Sequence, residues 1–209
     1  MAARLGTMRP MHDLFSSPML RVDQPRGVPG AKSRYKIFNG QGTQVALATE
    51  RDVSTVRKAL RAVFGSGERI VEVENLHGRS LLVVMKMSTS VTVTTPDGAV
   101  IGSITGHTEH AERYPIQDMA GRPIGHLTSE RGPVARLRRH YRVEDAYGNQ
   151  VGKLEKKSKG LATALLTTAD RFDLEIFHAL PDPLRTMVIA APMAIDLMFY
   201  EDKDWVPGA

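Results

Sequence analysis

The stretch Tyr141-Arg142-Val143-Glu144-Asp145-Ala146-Tyr147-Gly148-Asn149-Gln150-Val151-Gly152 is one of five copies of a single pattern, the others beginning at Tyr35, Val71, Val91 and Tyr114. In each, an aromatic or aliphatic residue is followed four positions on by Asn, Asp or Thr, seven on by Gly, and ten on by an aliphatic residue. Each copy opens with period-two alternation, the mark of a half-buried strand. The short polar residue can accept hydrogen bonds from a turn backbone, and the glycine takes positive φ without a Cβ clash. Each copy therefore predicts an antiparallel β-hairpin closed by a type I turn with a glycine bulge. The starts are unevenly spaced, which argues against a solenoid and for one closed sheet without exposed edges.

Working outward, Met19-Leu20-Arg21-Val22 is a candidate first strand. Residues 161–177 resemble a sixth hairpin that lacks the glycine, with strands at Ala162–Leu166 and Phe172–Phe177. Six hairpins give about twelve strands. Residues 52–64 break the β pattern: Asp52 is a good N-cap and Val53, Val56, Leu60 and Val63 form an apolar stripe, predicting one short helix over a barrel end.

The last element is apolar on nearly every face from Met187 to Phe199, with Asp182 as its cap and Pro183 in its first turn. Such a helix is buried in protein or in lipid. It is short for a bilayer, which needs about 20 apolar residues, and Asp196 would be costly in hydrocarbon. A twelve-stranded barrel is too wide to be filled by its own side chains. The expected fold is mainly β: an antiparallel barrel of about twelve strands enclosing the helix, with Met187, Ile189, Met193, Asp196 and Phe199 inside. The expected organisation is an irregular, proline-containing leader over 1–18, the barrel domain over 19–202 and a short tail over 203–209.

The 209 residues suit one domain with a tail, and 42% hydrophobic residues suffice for one core. The chain has no cysteine, which excludes disulfides, thiolate metal sites, cysteine nucleophiles and palmitoyl anchors. No secretory signal is expected. A net charge of +5 favours anionic partners. Arg136, Arg138 and Arg139 precede the turn of the fifth hairpin, and Lys153, Lys156, Lys157 and Lys159 follow it, a candidate patch for lipid headgroups. Nucleic acid fits less well, since stacking aromatics are not interleaved with these cations. His107, Glu109 and His110 have ligand-like spacing, but a solvated loop is the plainer reading. Neither a phosphate-cradling glycine loop nor a nucleophile elbow is present.

The run Ala194-Ile195-Asp196-Leu197-Met198-Phe199-Tyr200-Glu201 resembles the ending of the phospholipid scramblases, in which an acidic residue interrupts an aromatic and aliphatic helix. Ala169-Asp170-Arg171-Phe172 is similar to the segment before the family's last strand, and Leu20-Arg21-Val22-Asp23-Gln24 to its first. Over residues 19–202 the chain thus resembles the scramblase and LURP-one-related families of Tubby-like fold. The resemblance implies a non-enzymatic, cytoplasmic protein, peripheral at the inner face of the plasma membrane, with no catalytic residue. It implies bidirectional movement of phospholipids or, alternatively, phosphoinositide or anionic-lipid binding; a soluble barrel carrying an apolar ligand is a third possibility. It sets no oligomeric state. Calcium is the cofactor the resemblance implies, but only Asp170 falls on the family's acidic calcium segment, while Thr168, Ala179 and Pro181 occupy other positions of it. Asp173, Glu175 and Asp182 lie nearby, the first two alternating toward one strand face.

Overall fold

The computed structural model describes residues 14–25, 34–51, 69–106, 112–130, 138–157 and 169–199. The expected helix at 52–64, the strand at Ala162–Leu166, the His107–His110 cluster, Arg136, Lys159 and the tail lie outside them.

The strands are β1 (Met19–Pro25), β2 (Arg34–Asn39), β3 (Gln44–Glu50), β4 (Arg69–Asn75), β5 (Ser80–Met87), β6 (Ser90–Thr94), β7 (Val100–Thr105), β8 (Arg113–Asp118), β9 (Pro123–Glu130), β10 (Arg138–Asp145), β11 (Gln150–Lys157) and β12 (Ala169–Ile176); helix α1 spans Leu184–Phe199. All twelve strands pair antiparallel with their sequence neighbours, and β12 closes the barrel on β1. The strand count is as expected, but its origin differs. Both edges of β12 are occupied, by β11 and β1, so β12 is not the second arm of a sixth hairpin. The two ends of the chain supply one wall strand each, and five hairpins supply the rest.

The five repeats form those hairpins. Asn39 Oδ1 accepts from the backbone N–H groups of Gln41 and Thr43, and Gly42 N–H donates to the Asn39 carbonyl. The same lattice recurs at Asn75, Asp118 and Asp145, and in a hydroxyl version at Thr95. Each turn glycine has positive φ, between 75° and 93°, and each hairpin shifts register just before its turn, as a glycine bulge requires. Up-and-down order puts all five turns at one end of the barrel. The start of β1, the end of β12 and the start of α1 come to the same end, here called the turn rim.

Alternation sends one face of every strand inward. The aromatic openings of three repeats, Tyr35, Tyr114 and Tyr141, are buried, with Phe172 among the largest core side chains. Helix α1 fills the barrel. Met187, Ile189, Met193 and Asp196 are enclosed, and Phe199 is partly buried against Tyr114, with ring centroids 5.4 Å apart. Asp182 accepts from the Thr186 N–H at 3.3 Å and from its hydroxyl at 2.7 Å, capping the helix. Two glycines of the repeat make room for the helix. A Cβ on Gly102 would run into the Gln117 carbonyl and lie 3.0 Å from Met187 Sδ; one on Gly125 would lie 3.1 Å from Leu184.

The packed domain reaches back before residue 19. Leu14 is buried in the core, and the Arg185 guanidinium donates to the carbonyls of Phe15 and Ser17. Within the described residues, the end of the expected leader thus packs against the barrel without adding a strand to it.

Candidate functional site

The chain's polar chemistry divides between the barrel interior and its outer wall. Inside, Lys156 Nζ lies 3.5 Å from Asp196 Oδ1, with both side chains almost wholly enclosed. The Tyr35 hydroxyl donates to Asp196 Oδ2 at 3.0 Å. Lys156 Nζ also stands 5.3 Å from the centroid of the Phe172 ring, within range of cation–π attraction. Asp196 is thus held by a cation from β11 and a hydroxyl from β2, which answers the cost of placing a carboxylate in an apolar interior.

Among the described side chains of the predicted basic patch, Lys156 is fully withdrawn from the surface. Leu154 faces the core and strand period two carries Lys156 to the same side. Arg139 is half-buried opposite Lys156 in the β10–β11 register, and directly opposed residues share a sheet face. Arg138 pairs along the backbone with Lys157. Lys153 and Lys157 point outward.

On the outer wall these two lysines meet the acidic face of β12. Lys153 Nζ is 2.7 Å from Glu175, and Lys157 Nζ is 2.8 Å from Asp173 and 3.5 Å from Glu155. Arg171 also contacts Asp173, at 2.7 Å. Burial works against ionisation of Asp173, but Arg171 and Lys157 outweigh it and hold its carboxyl below the usual range. The hydrogen bond to Asp173, with smaller help from Glu155, raises the Lys157 ammonium above its ordinary value. A second outer cluster, which sequence alone did not single out, centres on Glu144. Its carboxylate accepts from the Thr128 hydroxyl at 2.6 Å and lies 2.7 Å from His126 Nε2. The Thr128 hydrogen bond, aided by the charges of His126 and Arg142, holds Glu144 below the usual carboxylate range against the effect of burial.

Among the described residues, the carboxylates near the implied calcium segment are otherwise engaged. Asp170 lies in β12 opposite Gln24, with its side chain outside the described set. Asp173 and Glu175 are engaged by cations, and Asp182 caps the helix. Among the described residues no group of three His, Asp or Glu side chains is placed to hold a metal ion. The described carboxylates Asp173, Glu175 and Asp182 do not by themselves supply the six to eight oxygens that a hard cation takes.

A closed antiparallel barrel folded around its own hydrophobic C-terminal helix defines the Tubby-like class. The family model described as Scramblase matches residues 30–202, well over half of the chain, and the chain belongs to the scramblase family. No curated protein and no solved structure matches it. Membership points to a lipid-related role. No helix among the described residues is long and apolar enough to cross a membrane.

Proposed function

We propose that the protein acts on phospholipid at a membrane surface through the outside of its barrel, while α1 stays enclosed. The observation that carries this reading is the Asp196–Lys156 contact. Moving α1 into a bilayer would take Asp196 into hydrocarbon at about 3 kcal/mol or more, and would leave Lys156 facing an emptied barrel. The filled interior equally disfavours carriage of an apolar ligand in the lumen.

We assign headgroup contact to the outward cations Lys153 and Lys157; the side chains of Arg136, Arg138 and Lys159, from the same expected patch, lie outside the described residues. The two described ones are paired with carboxylates, but the Lys153–Glu175 pair is substantially exposed. An exposed pair is worth at most about 1 kcal/mol, so a phosphate can displace a carboxylate without disturbing the fold. Bidirectional phospholipid movement is the second reading, favoured by the family match. In that case lipids pass along the outer surface rather than through α1.

Proteoliposomes separate the two. Salt-sensitive binding to phosphatidylserine-containing vesicles, without exchange of a labelled lipid between leaflets, supports the surface-binding reading; accelerated exchange supports movement. Lys153→Glu with Lys157→Glu lowers binding by about 1 kcal/mol per cation. Equal binding by wild type and the double variant removes these residues from the headgroup contact.

A further inference from the structure

Among the described residues, the exposed large hydrophobic side chains are Met19, Leu76, Val100, Met119, Tyr147 and Phe177. All of them lie at the turn rim. Leu76, Met119 and Tyr147 occupy the free central positions of three hairpin turns, between the Asn or Asp and the glycine. Val100 opens β7 just after a fourth turn. Met19 opens β1 beside Gly40 of the remaining turn, and Phe177 follows β12, its N–H donating to the Val151 carbonyl. Met119 is 75% exposed and Tyr147 is 91% exposed. The described hairpin turn at the opposite end carries Ser88 and Thr89 instead.

The turns need none of these side chains for their own geometry. Their conformation is set by the Asn, Asp or Thr oxygens and by glycine φ. The central positions need no apolar side chain, as Gly40 and Gln41 of the first turn show. Met119 and Tyr147 are carried on rigid, hydrogen-bonded turns, so little conformational freedom is lost when their tips are buried in a partner.

We infer that the turn rim is the end of the barrel that dips into the bilayer interface, with Leu76, Met119 and Tyr147 as its inserting tips. This rests on the surface-acting reading above and adds a second contact at one end of the barrel. Lys153 lies three residues into β11 from the rim and Lys157 at the far end of that strand, so wall and rim engage a membrane in different orientations, which the quenching below distinguishes. Three features select a bilayer rather than a second protein. The apolar tips stand singly on separate turns around a ring, with glycine and polar residues between them. A stable protein interface instead needs a continuous packed patch of about 800 Å² per partner. Tyrosine, with an apolar body and a polar tip, suits the headgroup level. Around the tips the exposed rim alternates cations with acids, Arg79 and Arg122 with Asp97 and Asp182. That mixture matches zwitterionic headgroups, which present both signs, better than a uniformly anionic surface. Rim insertion is therefore insensitive to salt, in contrast to headgroup pairing by Lys153 and Lys157.

The chain has no cysteine, so single cysteines can be introduced at Met119→Cys, Tyr147→Cys and, as an opposite-end control, Thr89→Cys. Each full-length variant is labelled with an environment-sensitive fluorophore and mixed with phosphatidylcholine vesicles, with and without phosphatidylserine. The expected result is a blue shift and quenching by lipid-borne quenchers at 119 and 147 but not at 89. Replacing the tips together, as Leu76→Ser, Met119→Ser and Tyr147→Ser, lowers partitioning about tenfold or more with unchanged circular dichroism and Tm. If the protein binds vesicles while 119 and 147 stay unquenched, or while 89 is quenched, the rim assignment is overturned and the surface reading stands. If it binds vesicles of neither composition, both fall.

Discussion

Lys156 on β11 and Asp196 on α1 meet 3.5 Å apart inside the barrel, 40 residues apart in sequence. The contact ties wall to helix by charge in an otherwise largely apolar interior, and Tyr35 completes it. Removing one partner leaves the other charge buried without its ion-pair partner. Lys156→Met or Asp196→Leu alone should therefore destabilise by about 3–5 kcal/mol. The pair changed together should lose much less than the sum, because an apolar pair needs no compensation. Denaturant unfolding of the two single variants and the double variant measures this; additive losses would show that the two charges do not interact.

The repeat glycines fall into two physical kinds. At Gly148, φ is +83° and a Cβ would meet nothing within 4 Å, so Gly148→Ala costs only left-handed backbone strain, about 1–2 kcal/mol. At Gly102 the backbone is ordinary, but a Cβ would collide with the Gln117 carbonyl and crowd Met187. Gly102→Ala must push apart β7, β8 and α1 and should be the more damaging of the two. Thermal unfolding of both variants checks the order; equal Tm losses would mean that the helix is not seated against β7 as described.

Acid should loosen the outer wall. Glu144 and Asp173 both have carboxyls held below their ordinary values in the folded state. Groups with depressed native pKa stabilise the fold fully above their unfolded pKa, about 4, and that contribution is lost as pH falls through the native values. Stability should be flat from neutral pH to about 5 and decline below 4. Glu144→Gln should flatten part of the decline. An unchanged acid slope in that variant would remove Glu144 from the cause.

The hairpins were legible because their chemistry is local: a polar side chain, two free positions and a glycine determine a turn whatever surrounds it. The enclosed helix was legible from its lack of a polar face and from Asp196 being out of place in lipid. Barrel closure was not legible in the same way. Whether β12 pairs with a neighbour in sequence or with β1, some 150 residues away in the chain, is decided by the whole ring. The basic patch was misjudged at Lys156 because seven cations were read as one cluster, although the parity with Leu154 already pointed Lys156 inward. The Glu144 cluster gave no sequence signal, since Thr128, His126 and Glu144 meet only through the β9–β10 register. The exposed turn residues were visible as letters, but their gathering at one rim follows from topology.

The most direct test of the enclosed helix is photo-crosslinking with diazirine-bearing methionine on the membrane-bound protein, read by mass spectrometry. Methionines stand both in the barrel interior, at Met187 and Met193, and on the rim, at Met19 and Met119. Crosslinks from Met187 to wall peptides such as that containing Gly102, with lipid adducts confined to the rim methionines, are the predicted result. Lipid adducts on Met187 and Met193 would show that the helix leaves the barrel for the bilayer, and would contradict a protein that acts on phospholipid from its outer surface.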